Sequence, residues 1–590
     1  MATIAEAYRI VLQLLDAGRR SDAARVCISI LEAEPESALA ANLLGVLYEE
    51  AGQKDRAWSL FRRAVSCQPQ VSAFQSNVAN VLSQNERFAT ADTAYRHAAM
   101  LEPEAADPRA NRAPTLRALG RPADAAESCR GALVLDPSHA NALHNFSDAL
   151  LALGELEPAA RWAGRAVAVR PGADALSLRG AALTALHRWE EAESSLRAAL
   201  RLSPRAADAW QNLGALLAKA GRDADALAAF AEAAAAGPTT SFDSQHATAL
   251  LALGRAGEAA SAFDRALAAR PEDAGLRWNR AFARLLGGDW TRGWEDFEAR
   301  RLDDRAAPPW RPFPQPVWSG EDPAGRTILL YAEQGFGDTI QMLRYVPLVA
   351  ARGARVVLEV QPALRGLAAG VEGVAVLVAR GEPLPPFDLE CPLMSLPRVF
   401  ATTPDHVPGV VPYLRPDPER LARWRAELGE GGGPAVGPRV GLVWAGNPRF
   451  PGDRLRSPRL AALRPLLDVP GVRFFGLQMG EGRADLERVA MPAGFTDLGP
   501  RIGDFVDTAA IIANLDLVIS SCTAPAHLAG ALGVPLWLAL PRAPDWRWLL
   551  DREDSPWYPT ARLFRQGRVG DWSDVAERMR AALAALTRTV

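Results

Sequence analysis

The sequence predicts an α-solenoid of helical hairpins followed by an α/β region with parallel sheets, and three observations carry that reading. Prolines recur at a near-constant interval through the first half. A proline-rich stretch then interrupts the helical periodicity. Beyond it, short apolar runs alternate with helical segments almost to the end of the chain, the pattern of βα units.

The recurring prolines are Pro35, Pro69, Pro103, Pro137, Pro171, Pro204, Pro238 and Pro271, spaced by 34, 34, 34, 34, 33, 34 and 33 residues. That period belongs to the tetratricopeptide hairpin, two antiparallel helices whose second member is ended by proline. Counting back from Pro69 gives Leu44, Gly45, Tyr48, Ala57, Phe61 and Ala64; counting back from Pro238 gives Trp210, Leu213, Gly214, Leu217, Ala226, Phe230 and Ala233. Small residues fall where helices approach closely and aromatics fill the adjoining holes. We expect about eight repeats across residues 2–271 and a degenerate ninth through Trp290, Trp294 and Phe297. These consensus residues serve the core of a stacked array, whose long surface suits an extended polypeptide.

Composition narrows the function classes. The chain of 590 residues, 49% hydrophobic and 23% charged, is long enough for several folded domains. A net charge of -3, from 66 basic and 69 acidic residues, gives no electrostatic reason to expect nucleic acid as a partner. No run reaches the length of a membrane span and the first residues lack a signal-peptide pattern, so a cytoplasmic location is expected. The five cysteines (Cys27, Cys67, Cys129, Cys391, Cys522) are scattered, without CxxC pairs, and are expected as thiols. The seven histidines form no metal-ligand spacing, so no metal is expected.

These patterns set four segments: a repeat array over 1–302, a linker over 303–326, and two α/β lobes over 327–430 and 438–590, divided by the glycine-proline stretch 429–438. The linker is defined by Pro308, Pro309, Pro312, Pro314, Pro316 and Pro323. Strands are expected at 327–331, 356–360, 374–378, 440–444, 473–477, 517–520 and 536–540. Two Rossmann-like lobes would place their ligand at the carboxyl ends of both sheets.

The loop Ala332-Glu-Gln-Gly-Phe-Gly-Asp338 follows the first strand. Its glycines, Gly335 and Gly337, allow backbone to approach a ligand, while Asp338 either faces the cleft or caps the helix that follows. After the strand ending at Trp444, the segment Ala445-Gly-Asn-Pro448 leads to Arg454 and Arg456, whose forked donors suit phosphate; the alternative is a solvated loop. Gln478 stands where it could bond a nucleoside. Thr523 and Ala524 open a helix with its positive end toward an anion, and His527, one turn in, either joins that anion or packs.

Taken together, Tyr331–Ile340, Gly441–Asn447, Asp516–Ser520, Ala526–Gly530 and Pro544–Trp548 resemble bacterial proteins in which tetratricopeptide repeats precede a GT-B domain related to the heptosyltransferases. The likeness spreads over residues 327–566. It implies transfer of a sugar from a nucleotide-sugar donor without an obligatory metal or other cofactor, with Asp338 as base. It implies anion binding by Arg456 and by the helix start Thr523–His527; with the loops read above, the expected donor-binding set is Gly335, Gly337, Trp444, Asn447, Arg454, Arg456, Gln478, Thr523, Ala524 and His527. Many relatives carry Asp-Thr where this chain has Cys522-Thr523, which puts that donor contact in question. Some relatives with repeats modify flagellin, which makes flagellin the implied protein acceptor.

A second periodicity bears on the acceptor. Setting each terminal proline at position 32, position 6 is occupied by Asn77, Asn111, Asn145, Asn212 and Asn279, and by Gln245 in another repeat. An amide ladder of this kind resembles that of the large glycosyltransferases acting on intracellular proteins, and implies a groove that bonds peptide backbone. The alternative is that each amide bonds a neighbouring turn or water. Two other function classes remain open: transfer to lipid-linked or polysaccharide acceptors, and a non-catalytic scaffold with a sugar-nucleotide-binding domain.

Overall fold

The structure, a computed structural model, describes residues 3–237, 242–302, 310–429, 437–448 and 452–589. Pro308 and Pro309 of the expected linker and residues 430–436 of the expected divider lie outside them. Two compact units emerge, Met1–Thr239 and Thr240–Val590.

Among its described residues the first unit holds fourteen helices in seven hairpins, from Ile4–Asp16 with Arg20–Ala33 to Ala207–Lys219 with Asp223–Ala236. Each hairpin closes on small residues. A Cβ added to Gly45 would lie 2.7 Å from the ring of Phe61, and one added to Gly214 would lie 2.8 Å from that of Phe230, so glycine is what lets the aromatic ring seat. Proline ends the second helix by withholding an amide, and its exposed carbonyl is then claimed by a side chain. Gln75 donates to Pro69 O at 2.8 Å, Arg109 to Pro103 O at 2.7 Å and Trp210 to Pro204 O at 2.9 Å. The turn between the two helices of a hairpin needs a left-handed residue. Gly52, Gly120, Gly154 and Gly221 supply it, but Glu86 (φ 59°) and His187 (φ 60°) stand at the same place in their repeats.

The second unit begins with two more hairpins, Phe242–Ala252 with Ala256–Ala269 and Ala274–Leu286 with Trp290–Phe297. The sequence placed these with the array, ending it at residue 302. The compact division falls earlier, because the degenerate hairpin turns its aromatics onto the α/β region. Trp290 stacks on Trp557 at 5.2 Å, Trp294 meets Trp546 edge-on at 5.0 Å, and the Trp294 indole donates to Thr402 O at 2.9 Å. These residues are core, as expected, but of a shared core.

Two parallel sheets follow. The first contains β1 (Thr327–Tyr331), β2 (Arg355–Val360), β3 (Val374–Ala379) and β4 (Leu389–Pro392), in the order β3-β2-β1-β4. The second contains β5 (Arg439–Val443), β6 (Arg473–Gly476), β7 (Phe495–Asp497), β8 (Leu517–Ser521), β9 (Leu536–Leu540) and β10 (Ala561–Arg565), in the order β10-β9-β8-β5-β6-β7. All pairings between named strands are parallel. The seven strands expected from sequence are present within a residue at each end; β4, β7 and β10 were not expected. Part of the expected linker is also sheet-associated. Glu390 donates to Pro316 O and Trp318 to Glu390 O, which docks this segment along β4 and buries Trp318.

Strand order reverses at β1/β4 in one sheet and at β5/β8 in the other. Such switch points open crevices at the carboxyl ends of parallel strands, where open α/β folds take their ligands. No helix among the described residues is long and apolar enough to cross a membrane.

Candidate functional site

The loop after β1 is fixed by neighbours before it presents any side chain. Arg380 donates to Ala332 O, Ala332 N–H donates to Glu359 O at 3.0 Å, and Gln361 donates to Gln334 O at 2.8 Å. Gly335 then caps the short helix Phe336–Met342, and its amide donates to Asp338 Oδ2 at 2.8 Å. Gly337 faces the loop after β8: a Cβ there would lie 2.7 Å from the His527 ring, so glycine lets the two loops close on each other.

The other oxygen of Asp338 receives Arg547 from the loop after β9. Arg547 is buried; its Nε donates to Gln341 Oε1 at 2.5 Å and its Nη1 to Asp545 Oδ1 at 2.9 Å. Its guanidinium lies 4.1 Å over the ring of Trp546, the residue against which Trp294 packs. Burial pushes the Asp338 carboxyl above the ordinary carboxylate range, opposed chiefly by Arg547 and reinforced by Asp545. Asp338 therefore takes the capping role open in the sequence, with one oxygen, and pairs with the buried Arg547 through the other.

From the loop after β5, Arg456 bonds Asp453 Oδ1 at 3.1 Å, and a Cβ on Gly446 would lie 2.8 Å from the Arg456 guanidinium. Its positive charge acts on Asp338, Cys522 and His527. Asn447 is exposed on this loop, and the side chain of Arg454 lies outside the described residues.

Several expected donor contacts are spent elsewhere. Gln478 is buried and serves as a staple: its Oε1 accepts from Trp444 N–H at 3.0 Å and Ala445 N–H at 2.9 Å, and its amide donates to Ala445 O and Met479 O. With every amide atom engaged by backbone, it has none for a nucleoside. Trp444 is fully buried, its indole donating to Gly482 O at 2.9 Å, so it belongs to the core beneath the sheet. His527 stacks on Trp548 at 5.6 Å and bonds the Tyr558 hydroxyl at 3.0 Å. Burial and the charges of Arg547, Arg344 and Arg456 hold its pKa well below the usual value, so the imidazole is neutral and packs. The helix start at Thr523 is poorer in donors than its sequence suggested. Pro525 has no amide, and those of Ala526 and His527 are committed to Thr523 O, which leaves Ala524 to face an anion. Thr523 Oγ1 lies 3.2 Å from Ser520 Oγ.

Cys522 is buried and accepts the Trp548 indole N–H at 3.0 Å; burial pushes its thiol up to about 11. It is a neutral support under the site, not a substitute for the aspartate of the relatives.

Three residues emerge that sequence reasoning gave no role: Arg547, Asp545 and Glu333. The signal for the first two was an arginine between two tryptophans just past a buried strand, in the stretch 544–548. Glu333, mostly shielded from solvent, pairs with Arg300 at 3.0 Å, and desolvation raises its carboxyl to about 7.

The amide ladder has another use in the first unit. Asn77 donates to Asn42 Oδ1 at 2.8 Å, Asn145 to Ala110 O at 3.0 Å and Asn212 to Ser177 Oγ at 3.1 Å. Each partner lies 35 residues earlier, so these N–H groups staple one hairpin to the preceding one. Asn111 is half-buried; in the second unit, Gln245 and Asn279 are exposed. A cavity of about 710 Å³ lined in part by Arg255, Leu286, Leu550 and Arg552 includes none of the candidate donor residues.

A family model described as a tetratricopeptide repeat matches residues 8–72, 178–240 and 244–306. Among solved structures, the Cut9–Hcn1 hetero-tetramer of the APC/C is similar over 41% of this chain and 48% of its own at 18% identity, TM-score 0.37. A tetratricopeptide repeat protein from Parabacteroides merdae is similar over 42% of this chain and 98% of its own, at 17% identity and TM-score 0.36. Protein FlbA of Caulobacter vibrioides is 30% identical over 446 residues, covering 68% of this chain and 71% of FlbA. A likeness of that identity and extent makes this chain a member of the FlbA family.

Proposed function

We propose that the chain is a glycosyltransferase whose two sheets are the two lobes of a GT-B domain, and that it moves a sugar from a nucleotide-sugar donor to a protein acceptor, flagellin, held by the repeats. The observation that carries this reading is the contact of Asp338 with Arg547 past the carboxyl ends of β1 and β9, with Arg456, from the loop after β5, adding its charge. The guanidinium of Arg456, part-exposed, suits the phosphates of such a donor, and a carboxyl raised by burial suits removal of a proton from an acceptor hydroxyl as the glycosidic bond forms.

The test is a thermal-shift screen with UDP-glucose, UDP-N-acetylglucosamine, GDP-mannose and CMP-N-acetylneuraminate, followed by transfer to flagellin. A donor held at 100 times its Kd stabilises the fold by about 2.7 kcal/mol. Absence of any shift across the set sinks the reading. A second reading, a scaffold that binds sugar nucleotides without transfer, is favoured by the engagement of both Asp338 oxygens, one by Gly335 N–H and one by Arg547. Binding without transfer would select it.

A further inference from the structure

The turn that ends the last hairpin, Glu298–Arg301, carries a buried arginine placed between that hairpin and the loop after β1. Arg300 is 3% exposed. Its Nη1 donates to Phe297 O at 3.0 Å and Glu298 Oε1 at 2.8 Å, both on the hairpin side. Its Nη2 donates to Glu333 Oε1 at 3.0 Å and Ser395 Oγ at 2.8 Å, both on the α/β side. The Ser395 hydroxyl in turn donates to Glu298 Oε1 at 2.8 Å, closing the network. The guanidinium lies 4.8 Å over the ring of Phe297 and 5.8 Å from that of Trp310.

A buried cluster of this kind is a poor way to gain stability, because desolvation of each ion offsets much of the attraction. What it fixes is position. Glu333 is two residues before Gly335, whose amide holds Asp338, and among the described residues the Glu333 Oε2 has no hydrogen-bond partner. The planar fork of arginine spans hairpin and loop at once; a lysine ammonium, a single point of charge, does not.

We propose that Arg300 is a positioning residue for the transfer reaction: by holding Glu333 it sets the loop 332–338 in the conformation that presents Asp338, so the last repeat hairpin is a working part of the catalytic unit. The proposal rests on the glycosyltransferase reading for its catalytic half and on geometry alone for its loop-ordering half. The aromatic contacts of Trp294 with Trp546, beside Arg547, tie the same hairpin to the other partner of Asp338.

The experiment compares full-length wild type with Arg300→Lys, Glu333→Ala and Glu333→Gln by amide hydrogen exchange and by kinetics, with the four sugar nucleotides above as donors and flagellin as acceptor. Loss of one charge-assisted hydrogen bond predicts roughly 10- to 150-fold faster exchange in the peptide spanning 332–340 for Arg300→Lys and Glu333→Ala. Glu333→Gln keeps an acceptor for Arg300 and stays close to wild type, and exchange in β5 and β8 is unchanged in all three. With the loop loosened, kcat falls roughly 10- to 100-fold while the donor KM holds, as for a misplaced reacting group. Unchanged exchange in 332–340 overturns the proposal whatever the kinetics; faster exchange with an unchanged kcat per folded molecule overturns its catalytic half. A wild type that transfers from none of the donors sinks the glycosyltransferase reading, while the exchange data still decide whether Arg300 orders the loop.

Discussion

Arg547 and Asp338 stand 209 residues apart in sequence, yet the guanidinium of one donates to the carboxylate of the other. The pair bridges the loop after β9 of one sheet and the loop after β1 of the other. Neither residue is fully satisfied by its own loop: Asp338 caps Gly335 with one oxygen, and Arg547 bonds Asp545 with one nitrogen.

This pairing sets a pH dependence. Asp338 acts as a base only when deprotonated; burial raises its pKa and Arg547 lowers it. Arg547→Gln removes the lowering charge, so the acid limb of kcat/KM moves to higher pH, whereas the basic side of the profile keeps its position. Asp338→Asn removes the base and cuts transfer by roughly 10²–10⁴-fold at every pH. A pH–rate profile of Arg547→Gln that overlays wild type would show that the two groups are not coupled in the working enzyme.

In the repeat array, Asn77, Asn145 and Asn212 act as staples between successive hairpins. Replacing each by Ala is expected to cost roughly 0.5–1.5 kcal/mol, the net worth of one hydrogen bond. The three sites share no partner, so the triple variant should lose close to the sum, read as a lower urea midpoint. Unchanged stability together with weakened acceptor binding would return these amides to the groove.

Glu86 holds a left-handed turn position, φ 59°, that glycine fills at Gly52 and Gly120 in the flanking repeats. That conformation costs an L-residue roughly 1–2 kcal/mol. Glycine avoids this cost but brings about 0.5–1 kcal/mol of extra chain entropy to the unfolded state. Glu86→Gly is therefore expected to stabilise the chain by up to about 1.5 kcal/mol, seen as a raised thermal midpoint. A fall in the midpoint would mean that the glutamate makes a compensating contact.

The sequence by itself determined the hairpins and the central strands, since each rests on local pattern. A hairpin touches mainly its neighbours in the chain, so its closing residues, Gly45 against Phe61 and Gly214 against Phe230, recur at a fixed interval and can be counted. Strands flanked on both sides, such as β1, β5 and β8, are buried apolar runs that announce themselves. Three of the four edge strands, β4, β7 and β10, carry charged residues (Glu390, Asp497, Arg562 and Arg565) and escaped the pattern, because an edge can turn part of its length to solvent or to an ion pair. Only the tertiary structure decided which polar groups are available for chemistry. Gln478 and Trp444 have types suited to a ligand but are consumed by backbone within hydrogen-bonding reach, and Asn145 is consumed by the hairpin before it. Arg547 and Arg300 carry no periodic or spacing signal, and their partners Asp338 and Glu333 are distant in the chain. Hydrogen bonds and ion pairs act over a few ångströms in space, whatever the separation along the chain. Where the chain folds back to bring such groups together is a property of the packed core, here the tryptophans 290, 294, 546 and 557, and not of any local run of residues.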